Sequence, residues 1–127
     1  MVVQRENDLL TQQVVGFAIE VHRLLGPGLL ESAYEECLCF ELEQNGLPFK
    51  RQVFLPVMYK SVRLDCGYRL DLVIQDQVIL ELKTVERLMP SHEARMLTYM
   101  KLSGIRTGLL LNFNSAVLRD GIRRLML

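Results

Sequence analysis

The chain has 127 residues, half of them hydrophobic, with fifteen basic and fifteen acidic side chains and a formal net charge of zero. That length suits a single domain over residues 1–127 with one core, and it is too short for two domains. The balanced charge excludes a protein that finds polyanions through a global basic field. Any nucleic-acid contact must be local, drawn from Lys50, Arg51, Lys60, Arg63, Arg69, Arg106, Arg119, Arg123 and Arg124.

Residues Met1 to Asp8 lack the apolar stretch of a signal peptide, and no apolar run reaches membrane-spanning length, so a cytoplasmic location without membrane contact is expected. Cys37, Cys39 and Cys66 are odd in number and lack both C-x-x-C spacing and paired histidines, which argues for reduced packing thiols rather than a zinc site.

Apolar residues recur at three- and four-residue intervals from Leu10 through Val14, Phe17, Ala18 and Val21 to Leu25. The pattern predicts an amphipathic helix capped at Asn7 or Asp8 and stopped by Gly26-Pro27-Gly28. A second helix is predicted from about Leu30 to Gln44, turning Leu30, Ala33, Tyr34, Cys37, Leu38 and Leu42 inward, with Asn45-Gly46 at its end. Three strands follow, at about Gln52–Tyr59, Arg63 or Gly67 to Ile74, and Val78–Thr84. Turns at Lys60-Ser61 and Gln75-Asp76-Gln77 make them an antiparallel meander.

A third helix is predicted from Pro90 or Ser91 to Ser103, capped by Gly104. The apolar run from Arg106 to Asn112 then reads as a buried strand parallel to its neighbour, and the tail from Val117 closes with a turn at Asp120-Gly121 and an edge strand. The order is ααβββαβ, an α/β arrangement with a mixed sheet.

Chemistry concentrates on the second and third strands. A three-residue turn pairs Ile74 with Val78 and Leu72 with Leu80, which sets Asp71 opposite Glu81 with Cβ atoms about 5 Å apart. Carboxylates that close repel unless a proton or cation lies between them, and a divalent metal is the natural guest. Lys83 shares a face with Glu81 and can balance charge or orient a nucleophile beside the metal. The plainer alternative is a solvated Glu–Lys pair on an exposed sheet face.

Glu31 and Tyr34 lie on one side of the second helix near its start. Glu31 either complements the helix dipole or brings a third carboxylate to the metal, and Tyr34 packs with its hydroxyl at the rim or meets substrate. On the third helix His92, Arg95, Met96 and Tyr99 form a stripe whose early turns adjoin the strand bearing Glu81, where Arg95 can meet a phosphate. His22 interacts with the last carbonyls of its own helix.

Gly28-Leu29-Leu30-Glu31-Ser32-Ala33-Tyr34 is a G-x-x-E-x-x-Y motif. With Arg69-Leu70-Asp71-Leu72, Leu80-Glu81-Leu82-Lys83, His92-Glu93-Ala94, Tyr99 and Gly108 to Phe113 in order, the chain resembles the small GxxExxY proteins of the PD-(D/E)XK nuclease superfamily. The resemblance implies a restriction-endonuclease-like core, a mixed sheet of about four strands flanked by helices. It also implies Mg- or Mn-dependent hydrolysis of DNA or RNA phosphodiesters. Asp71 and Glu81 would be metal-binding acids, Glu31 the acid from the N-terminal helix, Lys83 the catalytic lysine, and Arg95, Tyr99 and Tyr34 substrate contacts.

One departure stands out. Related proteins carry Q-x-x-x-Y on the helix after the lysine, where this chain has Arg95 before Tyr99. The rival reading is a non-catalytic module that binds nucleic acid or protein on the same fold. A homo-oligomer paired through the C-terminal edge strand is a further expectation.

Overall fold

The computed structural model describes the backbone of residues 2–127 and the side chains from Asp8 onward. Helix α1 spans Val2–Leu25 and α2 spans Glu31–Gln44. The strands are β1 Phe49–Phe54, β2 Val57–Tyr59, β3 Val62–Leu64, β4 Arg69–Ile74 and β5 Val78–Lys83. Helix α3, Pro90–Ser103, leads to β6 Thr107–Asn112, a 3-10 turn at Leu118–Gly121 and β7 Ile122–Met126. No helix of the described residues is long and apolar enough to cross a membrane.

A five-stranded sheet in the order β1-β4-β5-β6-β7 forms the centre of an α+β fold. All pairs are antiparallel except β5 with β6, which α3 connects as a crossover. The register of β4 on β5 is the one expected: Ile74 faces Val78, Val73 faces Ile79 and Leu72 faces Leu80. One sheet face, with Leu72, Ile74, Val78, Leu80, Leu82, Leu109 and Leu111, packs on α1 and α2. The other, with Val73, Ile79 and Leu110, packs on Met96, Tyr99 and Met100 of α3. Gly108 lets α3 come close, since a Cβ there would lie 2.7 Å from the Met96 sulfur.

Two expectations are corrected. α1 does not begin at Asn7 or Asp8 but reaches back to Val2, and Asp8 pairs with Arg124 of β7 instead of capping the helix. The strand expected over Gln52–Tyr59 is broken at Leu55-Pro56, because proline has no N–H for the ladder. The Lys60-Ser61 turn therefore does not join two strands of the main sheet. It closes the separate hairpin β2–β3, with both turn residues at positive φ, 48° and 67°. The mixed sheet flanked by helices is as expected, with five strands and with β1 and β7 as its edges.

Candidate active site

The site begins where the sheet stops being regular. The β4–β5 pairing ends at Leu72 and Leu80, one position short of Asp71 and Glu81. There, side chains replace the ladder: the Asp71 amide donates to Glu81 Oε1 at 3.2 Å, and the Leu82 amide donates to Asp71 Oδ2 at 2.9 Å. On the other flank of β4, Arg51 faces Leu72 and Val53 faces Leu70, while Gln52 between them adopts a left-handed φ of 49°. Strict alternation would put Leu70 on the same face as Leu72, yet Leu70 packs in the α3-side cluster. The alternation is thus lost across Asp71, and the disturbance runs through the row Gln52, Asp71, Glu81.

This places the two acids in different surroundings. Asp71 lines a cleft of about 300 Å³ with Glu31, Ser32, Glu35, Gln52 and Leu82, beneath the first turns of α2. Glu81 is buried, with 7% exposure, and its charge is felt at Tyr99 on the α3 side. Burial first, then the neighbouring Asp71 charge, pushes the Glu81 carboxyl well above its ordinary range. Burial likewise raises Asp71, with Glu35 adding to the shift, while the Leu82 amide and Lys83 oppose it. Among the described residues neither carboxylate forms an ion pair with a lysine, arginine or histidine.

Two oxygen donors that are costly to leave charged and unpaired fit a hard divalent cation such as magnesium or manganese. Glu31, expected as a third ligand, opens α2 at the mouth of the same cleft. However, no three His, Cys, Asp or Glu side chains among the described residues converge closely enough to enclose an ion. The protein-ligand set that fits is therefore Asp71 and Glu81, leaving positions for water and substrate, as magnesium commonly keeps several waters.

Lys83 ends β5, half-buried, and its positive charge acts on both acids. Its strand end is fixed from β6. The Phe113 amide donates to the Lys83 carbonyl at 2.9 Å. Buried Asn112 grips Val85 from both sides, accepting from its amide at 3.1 Å and donating to its carbonyl at 2.9 Å.

Tyr34 is placed otherwise than expected. It is fully buried, so it does not line a substrate surface. Its hydroxyl donates to the Gly26 carbonyl at 2.6 Å and accepts from the Leu29 amide at 3.1 Å, closing the turn between α1 and α2. Gly28 in that turn sits at φ 104°, a conformation that disfavours other residues. In the G-x-x-E-x-x-Y motif, then, the glycine and tyrosine shape the turn that delivers Glu31 to the cleft.

The α3 stripe divides in the same way. His92 Nδ1 accepts from the Met89 amide at 2.8 Å, so that ring caps the helix. Arg95 is exposed, and Tyr99 is buried beside Glu81, its phenol raised by burial and by that charge and lowered by Arg95.

Glu35 and Gln52 were not among the expected site residues. Glu35 lies one helical turn beyond Glu31, held by Arg51 at 2.8 Å and by the Gln52 amide at 2.9 Å. The i, i+4 spacing from Glu31 was the available signal. Nothing in the sequence marks Gln52, whose left-handed backbone is a property of the folded sheet. His22, expected at its own helix end, instead bonds through Nε2 to the distant Ser115 carbonyl at 2.8 Å.

Comparison with known proteins bears on what this site does. A family model described as the PD-(D/E)XK nuclease superfamily matches residues 8–125, nearly the whole chain. No curated protein and no solved structure matches.

Proposed function

The chain belongs to the PD-(D/E)XK nuclease superfamily, and from that membership we propose that it is a metal-dependent nuclease cleaving phosphodiester bonds of DNA or RNA. The observation that carries this reading is the Asp71–Glu81 pair, two desolvated carboxylates bonded to each other's strand, within reach of the Lys83 charge and in no ion pair among the described residues. A polar pair this costly has a use when a cation occupies it, since a purely structural core gains nothing from facing acids.

In this reading Asp71 and Glu81 hold magnesium or manganese, which when bound supplies Lewis acidity at the scissile phosphate. Lys83 positions the attacking water and offsets the negative charge on the phosphate oxygens in the transition state. Glu31 and Glu35 line the entrance beside Asp71, where a carboxylate can take the proton the water gives up. Arg95 and Tyr99 contact the phosphate on the α3 side.

Cleavage of labelled single- and double-stranded DNA and RNA, with magnesium or manganese, tests the proposal against Lys83→Ala. Metal-dependent cleavage that the substitution abolishes is the expected result. A folded wild-type protein that cuts none of the substrates would return the site to a binding role.

A further inference from the structure

The hairpin β2–β3 belongs to neither sheet face and is exposed along its whole length except for the half-buried Val57. A two-residue turn with both residues at positive φ makes it a short, defined ribbon rather than a slack loop. Pairing of Val57 with Leu64 and Tyr59 with Val62 puts these four side chains on one face. Tyr59 and Val62 are 59% and 54% exposed, an outlay of apolar surface that a lone hairpin does not need for its own stability.

The ribbon is also cationic. Between residues 55 and 68 the sole acid is Asp65, whose carboxylate accepts the Gly67 amide. Among the described residues Lys60, Arg63 and Arg69 make no ion pair, whereas Arg23, Lys50, Arg51 and Arg124 are each matched to a carboxylate. Two of the three are arranged by the Phe54 ring, with the Arg63 and Arg69 guanidinium carbons 5.8 and 4.9 Å from its centroid. The ring contact restrains both guanidinium groups, and although Arg69 donates one N–H to the Tyr68 carbonyl at 2.9 Å, its other N–H groups and those of Arg63 are available to an anion.

The hairpin connects directly to the catalytic row. Its neck is closed by the Leu55 amide donating to the Tyr68 carbonyl at 3.0 Å. Arg69 then opens β4 two residues before Asp71, and the Tyr68 ring lies 5.9 Å from Tyr99, the neighbour of Glu81.

We infer that the β2–β3 hairpin is a substrate arm that holds a single-stranded stretch of the polynucleotide, with Tyr59, Val62 and Leu64 against unstacked bases and Lys60, Arg63 and Arg69 on its phosphates. This rests on the nuclease reading and adds to it the strandedness of the substrate. Exposed aromatic and apolar side chains beside a few cations suit bases that are already splayed out, because a duplex keeps its base faces stacked. The hairpin itself offers three cations on a protein of zero net charge, which is short of the long phosphate track that duplex binding draws on.

The test uses Lys83→Ala protein with magnesium, so that probes stay intact, and measures binding of labelled oligothymidylate, oligouridylate and a duplex of equal length at several salt concentrations. Tighter binding of a single strand than of the duplex is expected. In the same background Lys60→Ala/Arg63→Ala should weaken it roughly tenfold and flatten the slope of log K against log salt by about 1.4. Tyr59→Ala should cost roughly 5- to 100-fold through lost stacking. Because these side chains are exposed, thermal melting should be unchanged, and Lys60→Glu provides a second variant of opposite charge.

Equal affinity of the variants, or preference for the duplex, would overturn the arm while leaving cleavage by wild type intact. Absence of both binding and cleavage would remove the nuclease reading itself. Concentration-dependent self-association lost in Val62→Asp, with strand affinity unchanged, would assign the surface to a second copy of the chain and overturn the inference.

Discussion

The Tyr34 ring lies nearly parallel to Phe113, with centroids 4.4 Å apart and planes 15° from each other, and the Phe113 amide in turn holds the Lys83 carbonyl. The tyrosine of the motif is thereby tied both to the turn that presents Glu31 and to the strand end that presents Lys83. Tyr34→Phe keeps the stack but leaves the Gly26 carbonyl and Leu29 amide without their partner. It should cost about 1–3 kcal/mol in urea unfolding, while Tyr34→Ala should cost about 3–5 kcal/mol. Oligonucleotide affinity of Tyr34→Phe should stay unchanged, and a marked loss would restore the tyrosine to the substrate surface.

The Asp71–Glu81 pair sets a pH dependence for the metal-free protein. Burial raises both acids, so the folded state binds protons more tightly than the unfolded chain. Stability is therefore full below the ordinary carboxylate range and falls as pH climbs from there through the raised values. Urea unfolding with a chelator between about pH 5 and about pH 8 should show this decline. Glu81→Gln keeps an acceptor for the Asp71 amide and removes the charge, so it should flatten the slope and stabilise the chelated protein at the alkaline end. Manganese should raise the melting temperature of wild type there and leave Glu81→Gln unmoved. A wild-type profile that rises with pH would contradict the assignment.

The register of β4 on β5 was readable because each strand carries one apolar set that must face the core, and a one-residue slip would expose all of it. The crossover through α3 followed from the run at Gly108–Leu111, too apolar for any place but the sheet centre. Less visible were features decided by contacts between distant residues. Pro56 sits in an apolar stretch that scans as one strand, so its break showed only as the hairpin beyond it. Tyr34 scans alike whether its hydroxyl meets solvent or the Gly26 carbonyl. The loss of alternation at Asp71 sits beside the left-handed Gln52, far away in the chain and adjacent in the sheet.

Asn112 offers a separate test of how Lys83 is held. Its side-chain amide joins Val85 at both donor and acceptor, extending the β5–β6 pairing past the lysine. Asn112→Ala should lose about 1–3 kcal/mol, since the Val85 amide is left unpaired, while the Val85 carbonyl keeps the Asn114 side-chain amide at 3.1 Å. With the strand end loosened, kcat for cleavage should fall more than tenfold while KM stays near wild type, because misplacement of a reacting group is felt mainly in the transition state. A rise in KM at constant kcat would instead place Asn112 in substrate binding.

Arg95 lies one helical turn before Tyr99 on α3, and its charge reaches that phenol, opposing the upward shift that burial and Glu81 impose on it. A permanent cation on that side competes with a metal for the same carboxylates, though its exposure screens much of the effect. Arg95→Gln should therefore tighten manganese binding by roughly 0.5–1 kcal/mol, measured by calorimetry on the metal alone. If the same guanidinium contacts a phosphate, oligonucleotide affinity should weaken in that variant and its salt slope should flatten by about 0.7. The two constants then move in opposite directions, which a change in stability alone would not produce. Unchanged metal affinity with weakened strand binding would make Arg95 a substrate contact with no bearing on the acids. Unchanged values of both would leave it as solvated surface on α3.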